Sequence, residues 1–170
     1  MRGAGGTIET DGTLNLLAGT RLNGAADLTS NTGSIVGLGS FRASSLTADA
    51  AAAITFNKTG VRLSSLGAID ASTGITIFSG GTNLALNGVI TNANGDVLIG
   101  ADAGSSRGNI VNNVGAGAII ITGAGRWVLY SYSQTGTTLN GLVPTFTEVG
   151  KRPPTAPGGA NTGNGIIYAI

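Results

Sequence analysis

Aliphatic residues in this chain fall into short alternating patches joined by polar links. Residues 69–77 (IDASTGITI), 90–99 (ITNANGDVLI) and 110–119 (IVNNVGAGAI) share one plan. Each has a leading aliphatic residue, a link rich in Asn, Ser, Thr or Asp, a glycine, and a second aliphatic patch. Within a patch apolar and small residues alternate, as in Leu14-Asn15-Leu16, Ile75-Thr76-Ile77 and Leu84-Ala85-Leu86. A period of two puts one face inward and the other outward, which predicts strands.

The patches recur at nearly constant spacing. Leu14, Ile35, Ile54, Ile75, Val97 and Ile119 form one series, with steps of 21, 19, 21, 22 and 22. Ile8, Leu28, Leu46, Ile69, Ile90 and Ile110 form a second, in which Leu46 fits only with a short step of 18. Leu22, Phe41, Leu63 and Leu84 form a fainter third, with steps of 19, 22 and 21. Units of this length that bury their apolar side only against neighbours make a solenoid. The expected fold is all-β: a right-handed parallel β-helix of about six coils of roughly 20–22 residues with three strands per turn. At about 4.8 Å per coil the rod is roughly 30 Å long. Glycine and asparagine mark the corners, where φ > 0 or side-chain-to-backbone bonds are needed. Asn92 and Asn112 are expected to stack in one turn of consecutive coils. The register is weakest at residues 44–60, where alanines 48 and 50–53 also suit a helix; the alternation Ile54-Thr55-Phe56 favours strand.

From Gly123 the texture changes. Residues 125–133 (GRWVLYSYS) hold the single tryptophan and two of the three tyrosines. This aromatic-rich strand is expected to close the helix. Trp127 and Leu129 share one face; Val128, Tyr130 and Tyr132 share the other. Trp127, Tyr130 and Tyr132 are the candidate ligand or cap contacts, with capping the preferred role. The organisation expected is repeats over 1–133, a terminal coil or cap over 134–149, a Gly/Pro-rich linker over 150–165, and the start of a following strand over 166–170.

Composition narrows the chemistry. Glycine is 30 of 170 residues and charged residues only 10%, against usual shares of about 7% and about 25%. Histidine and cysteine are absent, so Ser-His-Asp and Cys-His arrangements cannot form, and neither can a disulfide framework. A carbohydrate-processing β-helix would need grouped carboxylates. Asp70 and Asp96 are 26 apart, which is not one coil, and read as turn and strand-exit residues. No catalytic residue, metal site or cofactor is expected, since the Gly-Gly-x-Gly-x-Asp calcium repeat is also missing. Net charge is +1, and the nine basic residues read as scattered, with only Lys151 and Arg152 adjacent. That speaks against nucleic acid, which needs clustered cations. No apolar run approaches about 18 residues, so membrane insertion is not expected. Met1 to Gly6 lacks the apolar core of a leader peptide, which suggests a piece of a longer chain whose export signal lies elsewhere.

The Gly-x-Ile/Leu-x-Ile/Leu repeats with Asn/Thr/Gly turns, over about residues 7–149, resemble the stalks of filamentous haemagglutinin-like exoproteins of bacterial two-partner secretion. Residues 123–131 (GAGRWVLYS) are similar to the strand that often closes such a stalk. Autotransporter passengers share the repeat. The resemblance implies a right-handed parallel β-helix on, or shed from, a Gram-negative cell surface, serving adhesion or biofilm without enzymatic activity. The Asn-Pro-Asn-type motifs of the family's secretion domain are missing, which implies a distal stalk segment. Expected partners are neighbouring coils or domains of a longer chain, a host or cell-surface glycan or protein receptor, and further copies end to end. A carbohydrate-binding or carbohydrate-active β-helix and the stalk of a contact-dependent toxin-delivery filament remain the alternatives.

Overall fold

In a computed structural model the chain is all-β, with strands and turns and no helix among the described residues, 2–3, 5–104 and 106–170. Met1, Ala4 and Ser105 lie outside them, so the leader-peptide reading of Met1 to Gly6 falls partly outside as well. Every strand pair among the described residues is parallel, and the chain winds into a β-solenoid of about eight turns, more than the six expected.

Three walls line the interior. The first wall stacks Gly6–Thr10, Ala25–Ser30, the later halves of Phe41–Ala50 and Arg62–Ala71, Ile90–Asn92 and Ile119–Ile121. The second stacks Leu14–Leu16, Ile35–Gly37, Ala53–Phe56, Gly74–Phe78, Val97–Gly100 and Trp127–Ser131, then Gly165–Tyr168 and Phe146–Val149. The third begins with Arg2–Gly3 and Thr20–Leu22, continues through the early halves of Phe41–Ala50 and Arg62–Ala71, and ends with Leu84–Leu86 and Ile110–Asn112.

Side chains one winding apart lie over each other. Leu14, Ile35, Ile54, Ile75 and Val97 are register partners in sequence, and the last four are fully buried. Each such aliphatic residue contributes about 1.5–3 kcal/mol by leaving water. Bulk is compensated within the stack. A Cβ on Gly37 would sit 2.6 Å from the Phe56 ring, so the missing side chain is the space that the phenyl group fills. Phe56 also meets Phe41 with ring centroids 5.0 Å apart.

The expected register holds as far as Val97 in the second wall and fails beyond it. Val97 pairs with Trp127, not Ile119. Ile119 pairs with Ile90 in the first wall, and Ile110 with Leu84 in the third. The cause is a set of longer links: the step is 26 residues from Leu84 to Ile110, 29 from Ile90 to Ile119 and 30 from Val97 to Trp127. Isoleucines spaced as if by one coil therefore belong to different walls. Leu46 faces Ala26 and Leu66, while the methyl group of Ala48 fills the place between Leu28 and Ile69. The alanine-rich stretch is strand, as the alternation favoured.

Asn92 and Asn112 do not stack. Asn92 is opposite Ala71 and Ile121, and Asn112 opposite Leu86. Each is buried and closes its own corner. Asn92 Nδ2 donates to the carbonyls of Asn94 and Gly95 at 2.7 and 2.8 Å. Asn112 Nδ2 donates to those of Gly115 and Leu139, and its Oδ1 accepts from the N–H groups of Val114 and Gly115. Gly95 and Gly115 have φ of 87° and 110°, where a side chain would be strained.

The aromatic strand does not close the helix. Gly165–Tyr168 inserts between Trp127–Ser131 and Phe146–Val149, with Gly165 in register with both Val128 and Phe146. The chain thus passes first to the outermost strand and then returns to fill the gap. Residues 150–165, expected as a linker, are the return path and lie against the body. The strand expected over 166–170 is Gly165–Tyr168, buried on both faces within the second wall. Ile166 enters the solenoid interior. Ile167 joins a second, smaller core with Phe78, Val128 and Tyr130 on the outer side of the second wall.

Candidate functional site

The three aromatic candidates go to three different places. Trp127 points into the solenoid and is 5% exposed. Tyr130 points the other way, as the alternation requires, and is only 2% exposed. It packs edge-on against Phe78 at 5.7 Å, and its hydroxyl donates to the Thr155 carbonyl at 3.0 Å. The return segment covers it. Tyr132 alone is partly exposed, with the guanidinium carbons of Arg107 and Arg152 each 5.7 Å from its ring centroid. These residues make no continuous aromatic strip.

Beside Tyr132 the return segment is locked to the turn at 101–109. Arg152 Nη1 donates to Asp102 Oδ1 at 2.6 Å and to the carbonyls of Gly104 and Ser106 at 3.2 and 2.8 Å. The Asp102 side chain is 1% exposed, and its Oδ2 has no partner among the described residues. Burial pushes the Asp102 carboxyl up to about 6, against the opposing pull of Arg152. Pro153 is buried against Gly100. Between this lock and the turn before Val61 lies a cleft of about 500 Å³, lined by Lys58, Arg62, Phe78, Gly81, Pro153 and Pro154 among others.

Arg62 links that cleft to a feature hidden in the linear sequence. The cations are not all scattered: Arg21 is in register with Arg42, and Arg42 with Arg62. Arg2 is the register partner of Arg21. The steps from Arg21 are 21 and 20 residues, the same period as the aliphatic columns. Phe41, Ala43, Val61 and Leu63 point inward, so the alternating Arg42 and Arg62 point outward. Arg21, Arg42 and Arg62 are all exposed, and successive backbones are about 4.8 Å apart. Arg62 lies across two glycines: a Cβ on Gly81 would come 2.9 Å from its Cδ and Nε, and one on Gly80 would crowd Nη1. None of the three ion pairs among the described residues involves this column.

Carboxylates gather on the first wall. Asp49 and Asp70, 21 residues apart, are direct register partners, flanked in the same column by Thr29 and Thr91. Burial, then the charge of Asp49, pushes the Asp70 carboxyl up. Asp96 instead sits at a corner, 3.6 Å from Arg126. Among the described residues no three acidic, histidine or cysteine side chains converge as metal ligands, and no helix is long and apolar enough to cross a membrane. No family model, curated protein or solved structure matches the chain.

Proposed function

We propose that this chain is a non-enzymatic structural stalk segment of a large secreted or surface-exposed bacterial adhesin of the filamentous haemagglutinin-like kind. The observation that carries this reading is the unbroken second wall, eight parallel strands in one stack with aliphatic side chains in register along it. A fold of this kind adds length coil by coil, and each coil depends only on its neighbours. That is the mechanical requirement for holding a binding tip away from a cell. The repeat resemblance over residues 7–149 and the aromatic strand at 127–131 support the same reading, as they would the stalk of a toxin-delivery filament.

The test is display. An epitope placed in the exposed turn at 17–19 of the full-length protein should be labelled on intact cells or recovered from the medium. In-frame removal of residues 7–149 should lower attachment to surfaces. Labelling only after permeabilisation would overturn the proposal. A carbohydrate-binding reading is favoured by one specific observation, the arginine column running into the cleft.

A further inference from the structure

We infer that Arg21, Arg42 and Arg62 form a docking strip for a linear polysaccharide bearing carboxylates at regular intervals, lying along the solenoid axis and entering the cleft at Arg62. The inference goes beyond the stalk reading and does not depend on where the chain is displayed.

Three exposed arginines stacked one coil apart repel one another, since like charges directly opposite in a sheet are destabilising. The repeat places them in register nevertheless, with no carboxylate in an ion pair with them among the described residues. An extended anion whose charges recur along its length relieves that repulsion at every coil. The guanidinium fork matches the planar carboxylate, taking it in two parallel hydrogen bonds. The outward neighbours of the column are Asn23, Ser44 and Ser64, all exposed; their amide and hydroxyl groups suit sugar hydroxyls. No aromatic side chain in that strip offers a platform for bases, which single-stranded nucleic acid requires. At the Arg62 end the cleft adds Lys58 and the exposed ring of Pro154, whose apolar surface the C–H face of a sugar ring can cover.

The experiment measures binding of the purified chain to polygalacturonate, with neutral dextran, polyglutamate and single-stranded DNA in parallel, at low and at high salt. Polygalacturonate should bind most tightly and release as salt rises. The triple change Arg21→Gln, Arg42→Gln and Arg62→Gln should weaken it by about tenfold or more, while Arg→Lys at the same positions, keeping charge but not the fork, should weaken it less. Circular dichroism melting confirms that each variant is folded, and Arg42→Gln alone serves if the triple variant is not. Unchanged binding in the glutamine variants overturns the inference. So does equal or tighter binding of DNA, polyglutamate or dextran, or a failure of polygalacturonate to bind.

Discussion

Arg152 Nη1 and Asp102 Oδ1 meet at 2.6 Å across 50 residues of chain, tying the returning segment to the turn at 101–109. Asp102 is buried and Arg152 about a third exposed. Removing the cation therefore leaves a carboxylate with little access to water. Arg152→Ala should cost about 2 kcal/mol at pH 8, less than the 3–5 kcal/mol of a fully buried pair. The sign with pH follows from the raised value of about 6 for Asp102 in the fold. As pH falls from above 6 towards 4 the folded state takes up the proton before the unfolded chain does, so this group adds stability over that window. Once Asp102 is protonated the lost partner matters less. Urea unfolding should show a smaller loss for Arg152→Ala at pH 5 than at pH 8; equal losses would mean that Asp102 does not feel the pair.

Tyr130 is the second attachment of the return segment, through its hydroxyl to Thr155. Tyr130→Phe keeps the packing against Phe78 and removes about 1 kcal/mol of hydrogen bonding. Its effect should be local, with faster amide exchange near residues 152–158 and little change elsewhere in the solenoid. Tyr130→Ala also empties the outer core and should cost about 3–5 kcal/mol. Uniform acceleration of exchange over all coils in Tyr130→Phe would show that the return segment is not a separable layer.

Gly37 and Phe56 occupy one space between them. Gly37→Ala drives a methyl group towards the ring from a separation of 2.6 Å and should destabilise by about 1–3 kcal/mol through overpacking. Phe56→Ala leaves a cavity costing about 3–5 kcal/mol. Combined, the two should cost clearly less than their sum, because the ring that obstructs the methyl group is gone. Thermal unfolding of the four proteins gives the coupling directly, and additivity within about 0.5 kcal/mol would refute the shared-space account.

These relationships differ in how far the residues alone reveal them. The column from Leu14 to Val97 is legible because its members are bulky, aliphatic and evenly spaced. Beyond Val97 the same arithmetic misleads, since the links at 101–109 and 113–118 lengthen the winding while Ile110 and Ile119 keep a repeat-like spacing. The insertion of Gly165–Tyr168 between two earlier strands has no local signal, because its Gly/Pro-rich approach reads as linker in any context. The arginine column did have a signal. Arg21, Arg42 and Arg62 are spaced like the aliphatics, and only a search for adjacent cations conceals it. The same holds for Asp49 and Asp70, one winding apart, whereas comparison of Asp70 with Asp96 spans two walls.

Asp70 and Asp49 supply the test of outward columns on the first wall. Both are exposed, and as register partners they repel when ionised. The Asp70 carboxyl is raised by burial first and by the charge of Asp49 second, so its charged form opposes folding. That opposition is present at neutral pH and vanishes as pH falls and the folded state binds the proton ahead of the unfolded chain. Asp70→Asn should therefore stabilise the chain at pH 7 by about 0.2–1 kcal/mol, the range for a like-charged cross-strand pair, and by nothing at pH 3. Added salt should shrink the gain, because exposed charges are screened. In Asp49→Asn, carboxyl-detected NMR titration should find Asp70 ionising at lower pH than in the parent chain. If Asp70 titrates identically in both, the two carboxylates do not share a column in solution, and the coil-to-coil register of the first wall is wrong at that point.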